Sequence, residues 1–148
     1  VRAHLSQPIE EFLAAHRIAV VGVSRRTGFG NAAFRTLRDK GWDVVPVNEG
    51  ADELEGTRCF RALEEVAPPP QAVLVVTPPA RTPAILESCA RLGIRRVWLQ
   101  QGSESEEAIR LAADRGLALV SRACILMYAR PTGLHRFHGW LTRLGEAR

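Results

Sequence analysis

A regular alternation of two residue patterns constrains the fold of this chain more than any other feature. Five short, almost wholly apolar runs rich in β-branched residues occupy positions 17–23 (RIAVVGV), 42–47 (WDVVPV), 71–76 (QAVLVV), 95–99 (RRVWL) and 117–120 (LALV). A strand with one wet face alternates polar and apolar residues, so runs this continuous are expected of parallel strands covered on both sides. Segments of helical period lie between them. Ala33, Phe34 and Leu37 make one stripe. Ile85, Leu86, Cys89 and Leu92 make another, with Thr82 as the expected cap and Pro83 in the first turn. A third helix is expected to start at Ser103, where Ser103 and Glu106 have capping-box spacing. Gly41, Gly93 and Gly116 stand where the three helices should stop. Residues 60–66 are expected to form a short helix before the loop Pro68-Pro69-Pro70.

Strands alternating with helices imply right-handed βαβ units and therefore a doubly wound α/β domain. The expected sheet has five parallel strands in the order 3-2-1-4-5, with helices on both faces. Ligands in such a sheet bind outside the strand carboxyl ends, at the point where the strand order reverses. Two further helical stripes flank this unit: Ile9, Phe12 and Leu13 before it, and Leu134, Phe137, Leu141 and Leu144 after it. The last stripe suits core packing, or contact with a second copy or partner protein.

Composition removes several alternatives. A chain of 148 residues, 46% hydrophobic and 24% charged, is globular and of single-domain size. No apolar run approaches the ~20 residues of a membrane span, and residues 1–11 are too polar for a secretory signal, so a cytoplasmic protein is expected. Cys59, Cys89 and Cys124 are too few and too scattered for a disulfide framework or a zinc site. His135 and His138 have i, i+3 spacing but no neighbouring carboxylate or thiol, and no metal is expected. The net charge of +4 favours anionic ligands in general, yet it is not clustered as on a nucleic-acid-binding face, and no nucleic-acid partner is expected.

The most informative segment follows the first run: Gly22-Val23-Ser24-Arg25-Arg26-Thr27-Gly28-Phe29-Gly30-Asn31-Ala32-Ala33. A turn between a buried strand and a helix offers backbone amides and a helix dipole to phosphate. Gly22 allows a sharp turn and leaves room for a close-lying pyrophosphate. Ser24 brings a hydroxyl, and Arg25 and Arg26 bring positive charge. Residues 28–33 also fit the dinucleotide pattern G-x-G-x-x-A, but Gly28 falls six places after Gly22, where that pattern should begin. The acidic residue that NAD binders place at the end of strand 2 is also displaced, since Asn48 stands there and Glu49 one place later.

With these motifs in view, the chain resembles the small single-domain CoA-binding proteins, which are related to the CoA-binding domain of succinyl-CoA synthetase. The resemblance rests on IAVVGVS, Gly30, VVPVN (44–48), VVTPP (75–79), VWLQQG (97–102) and ACILM (123–127), in that order. It implies one Rossmann-like domain with a core at 17–130 and a C-terminal helical extension at 131–148, to which the resemblance does not reach. It also implies coenzyme A or an acyl-CoA as ligand. Gly22, Val23, Ser24 and Arg25 would then line the pyrophosphate, joined by Arg26 and the later Gly30. Asn48 would lie near the adenosine, Thr77 and Pro78 beside the nucleotide, and Gln100 and Gly102 along the pantetheine. Cys124 is either a buried apolar thiol or a residue facing the CoA thiol. Many relatives follow the loop serine with lysine and proline, where this chain has Arg25-Arg26-Thr27.

No GxSxG elbow, HExxH pair or Walker lysine is present, so the expected role is binding without catalysis. The alternatives are an NAD(P)-dependent oxidoreductase and a nucleotide-sensing regulatory domain.

Overall fold

A computed structural model describes residues 6–129; the stripe at Leu134–Leu144, the extension 131–148, His135 and His138 lie outside them. The described chain runs α1 (Gln7–Leu13), β1 (Arg17–Val21), α2 (Phe29–Asp39), β2 (Asp43–Val47), β3 (Glu53–Leu54), β4 (Thr57–Arg58), β5 (Ala72–Val75), α3 (Thr82–Leu92), β6 (Arg96–Gln100), α4 (Glu106–Asp114), β7 (Ala118–Ala123) and α5 (Ile125–Tyr128). Among these residues no helix is long and apolar enough to cross a membrane.

The five apolar runs form one parallel sheet, as expected, but its order is β2-β1-β5-β6-β7. In terms of the five runs this is 2-1-3-4-5, which corrects the expected 3-2-1-4-5. The third run pairs with the first, Ile18 opposite Ala72 and Val21 opposite Val75. The physical reason lies in the connection from β2 to β5. It makes a small antiparallel hairpin, β3–β4, and then a single 3-10 turn at Leu63–Glu65, where the sequence suggested a helix over 60–66. Phe60, Leu63 and Val66 from this connection pack with Val45, Val47, Val73 and Val75, on the face of the sheet opposite α2. A right-handed crossover on that face delivers its strand to the free side of β1. The order 3-2-1 would have required the crossover on the face that α2 already fills.

Strand alternation divides the core in two. Ile18, Val20, Val44, Leu74 and Trp98 face α2 through Ala33, Phe34 and Leu37. The intervening Ala19, Val45, Val73, Val97 and Leu99 face α3 and α4 through Leu86, Cys89, Ala108 and Ala112. The α2 side carries only one crossover, so half of it would be bare under β6 and β7. Helices α1 and α5 cover it. Phe12 of α1 meets Trp98 edge to face with ring centroids 5.2 Å apart, and Ile125 of α5 joins the same cluster.

Candidate functional site

The sheet changes direction between β1 and β5, and a cavity of about 600 Å³ opens beside their carboxyl ends. Val21 and Gly22 of the first strand, Val47 and Asn48 of the second and Thr77 after β5 form one wall. Arg61, Leu63 and Glu64 from the crossover, Arg81 just before α3, and Ala84, Ile85 and Ser88 of α3 form the other. A doubly wound sheet leaves a crevice at such a point because the crossovers on its two sides depart in opposite directions.

The turn after β1 is held from outside. Asn31, only 4% exposed in the first turn of α2, accepts the Ser24 amide on Oδ1 at 3.1 Å. Its Nδ2 donates to the Ser24 carbonyl and to Glu55 Oε1, both at 2.8 Å. The Ser24 hydroxyl turns inward and donates to the Arg26 carbonyl at 2.7 Å. A second clamp comes from Asn48, whose Nδ2 donates to the Val23 carbonyl at 2.9 Å while its Oδ1 accepts the Gly50 amide at 2.7 Å. Arg25 Nη2 donates to the Gly50 carbonyl at 2.8 Å, tying the two loops at a further point.

The glycines of the turn serve packing first. Gly22 has φ +127°, and a Cβ there would collide with the Val76 carbonyl; a Cβ at Gly30 would collide with the Gly22 carbonyl. These two contacts bring the start of α2 down onto the end of β1 and the end of β1 against β5. Clearance for a ligand is therefore not the first reason for Gly22, because β5 already occupies the space its side chain would need. Gly28 caps α2 with no side-chain bond, and the first turn of the helix carries no acidic residue. The first amides of a helix have no partners inside it, and those of α2 follow directly on the turn that holds Arg25 and Arg26.

After β5 three residues form a polar knot. The Thr77 amide donates to Ser103 Oγ at 3.0 Å, Thr77 Oγ1 lies 3.0 Å from Thr82 Oγ1, and Thr82 Oγ1 donates to the Ser103 carbonyl at 2.7 Å. Thr82 and Ser103 were expected as helix caps. Instead α4 starts at Glu106, with Ser105 Oγ accepting the Ala108 amide, and Ser103 and Thr82 fasten the loop after β6 to the loop after β5.

The structure brings Gly22, Asn48 and Thr77 together on the cavity wall, and the other sequence candidates are not among its lining residues. Val23 is buried in the core on the α2 side. Ser24, Arg25, Arg26 and Gly30 belong to the turn and the start of α2, Arg26 being exposed and Gly30 buried. Pro78 is exposed just before the 3-10 turn Pro79–Arg81. Gln100 is 4% exposed and accepts the Ile125 amide on Oε1 at 3.0 Å, so its side chain fixes the start of α5. Gly102 is exposed with φ +94°, and Cys124 is the residue immediately before α5.

Asn31, Thr82 and Ser103 brace the turn after β1 and the loop after β5, and Glu49, Arg61 and Ser88 line the cavity, roles the sequence pattern did not single out. Asn31 had a legible signal, being a polar residue three places past the helix-capping glycine on an otherwise apolar face. The ion pairs had none. Arg81 meets Glu49 at 3.2 Å, Arg61 meets Asp52 at 3.0 Å and Glu64 meets Arg91 at 3.0 Å, pairs that only the fold reveals. No cluster of three or more metal-ligating side chains occurs among the described residues.

Residues 16–130 match the family described as CoA binding domain. The uncharacterized protein YneT of Bacillus subtilis is 30% identical over 119 residues, covering 79% of this chain and 88% of that protein. A solved structure of a conserved hypothetical protein from Pyrococcus furiosus is 32% identical and superposes with a TM-score of 0.72 over 76% of this chain and 97% of that one. An ADP-forming acetate–CoA ligase from Methanocaldococcus jannaschii is 28% identical over 79 residues, which are 53% of this chain and 11% of the enzyme.

Proposed function

The chain belongs to the CoA-binding domain family, and on that premise we propose that it holds coenzyme A or an acyl-CoA at the carboxyl edge of its sheet without transforming it. The observation that carries this reading is the pairing of an uncapped helix start with a cavity at the switch point. The diphosphate of the ligand would lie against the turn 22–28 and the first amides of α2, where helix geometry and Arg25 and Arg26 favour negative charge. The adenosine would enter the cavity beside Asn48 and Thr77. The pantetheine arm would run past Pro78 and Gly102 toward Cys124, over a floor that Gln100 keeps in place. A cavity of about 600 Å³ is of ordinary size for one portion of such a ligand.

Binding without chemistry is supported by the state of the lining carboxylates. Glu49 and Glu64 are each engaged in an ion pair, with Arg81 and Arg91. The three cysteines are free thiols, which suits the reducing cytoplasm in which we place the protein. The enzyme likeness points the same way on ligand alone, because the stretch shared with an acetate–CoA ligase is a small part of that enzyme. Titration calorimetry with coenzyme A, acetyl-CoA, NAD and NADP tests the reading. Heat from either CoA form and weaker or no heat from the dinucleotides is expected; tighter NAD(P) binding would transfer the site to an oxidoreductase.

A further inference from the structure

Thr77 stands on the cavity wall at the end of β5, and the hydrogen bonds behind it fix which way its hydroxyl proton goes. Thr82 Oγ1 lies 2.7 Å from the Ser103 carbonyl oxygen, and a carbonyl can only accept, so the single hydroxyl proton of Thr82 is committed there. Thr77 Oγ1 lies 3.0 Å from Thr82 Oγ1. With no second proton on Thr82, Thr77 must be the donor of that bond. Thr82 is 0% exposed, so water does not compete for it, and the Thr77 amide is held by Ser103 Oγ at 3.0 Å. The proton of Thr77 is therefore turned into the wall. Only lone pairs are left for a ligand.

We infer that Thr77 is an acceptor-only specificity residue, taking an N–H or O–H from the adenosine of the ligand and turning the ligand's phosphates, the 3′-phosphate included, away. This rests on the coenzyme A site proposed above. The charges around the cavity agree with it. Glu49 and Glu64 offset Arg61 and Arg81, and Arg81 is already paired with Glu49, so the cavity offers no net positive charge to a phosphate. An ionised phosphate brings only acceptors, and beside Thr77 its lone pairs would meet other lone pairs with no proton between them. The adenosine of coenzyme A brings donors of two kinds, the exocyclic amine of adenine, which is remote from every phosphate, and the 2′-hydroxyl of ribose, which lies next to the 3′-phosphate.

The test is calorimetry of the wild type, Thr77→Val and Thr77→Ser with three ligands: coenzyme A, its 1,N6-etheno derivative, which lacks the free amine, and its 2′-deoxy derivative. The wild type should bind one derivative about tenfold more weakly than coenzyme A, and which one identifies the donor. Thr77→Val should bind coenzyme A about tenfold more weakly than the wild type and lose the preference over that derivative. Thr77→Ser, which keeps the oxygen, should restore both. The valine variant leaves Thr82 bonded to Ser103, and a thermal melt of each variant separates lost binding from lost fold. Wild-type affinity equal for all three ligands, or a valine variant that binds or discriminates as the wild type does, would overturn the inference while leaving coenzyme A as the ligand. A wild type that binds none of the three would instead remove the coenzyme A site itself.

Discussion

Asn31 commits both amide hydrogens and one lone pair of its side chain to two neighbouring segments, accepting from Ser24 and donating to Ser24 and Glu55. Replacing it with alanine should cost about 1–3 kcal/mol, since a part-buried amide and carbonyl of the turn lose their partners. Urea denaturation would show this as a lower midpoint with an unchanged slope. Arg25 offers a contrast, for it lies on the exposed side of the turn and gives one bond to the Gly50 carbonyl. Its alanine variant should keep its stability and lose about 1.5–3 kcal/mol of coenzyme A affinity if the guanidinium meets phosphate. Equal affinity would mean that Arg25 only ties two loops. Gly22→Ala should destabilise by about 3 kcal/mol before any ligand is added, because the new methyl meets the Val76 backbone and φ is positive.

Cys89 supplies a pH dependence at the same scale. Burial, and then the charge of Glu64, push its thiol up to about 12. The folded protein therefore keeps a proton that the unfolded chain releases near pH 9, so the stabilisation is complete below about 9 and declines as pH rises toward 12. The decline should be about 1.4 kcal/mol per pH unit across that window, and Cys89→Ala should flatten it in melts taken from pH 8 to 11.

At the scale of elements, two serines separate what the sequence can reveal from what it cannot. Ser103 and Glu106 have capping-box spacing, yet Ser105 is the cap and Ser103 fastens the Thr77 amide. Both serines precede the same run of acidic residues, and local spacing alone cannot choose between them. Ser105→Ala should cost about 1 kcal/mol as a lost helix cap. Ser103→Ala should cost about as much or more in a melt and should also weaken ligand binding, since it releases the loop that carries Thr77. If only Ser105→Ala affects binding, the knot after β5 has no part in the site. The five strands, α2 and α3 were legible because apolar periodicity is a local property. The strand order was not. It depends on which face Phe60, Leu63 and Val66 can reach, and that is settled by α2 already covering the other. Three apolar residues at spacing three, with no helix long enough to hold them, were the available hint.

For the whole molecule, the switch point between β1 and β5 unites these details. The observed order puts the third run, not the fourth, beside the first at this point, and Gly22, Asn48 and Thr77 converge there because all three follow strands that meet at that edge. What the sequence alone could not supply was the support behind them: Asn31 behind the turn, Ser103 and Thr82 behind Thr77, and ion pairs that neutralise the cavity. On the proposed function, that neutrality divides the site into a cavity suited to the adenine and a turn suited to the diphosphate. A crystal structure grown with coenzyme A measures this division most directly. The diphosphate should lie against the backbone of residues 22–30 with the adenine in the cavity beside Thr77. A diphosphate bound elsewhere, with that turn left without ligand, would contradict the account.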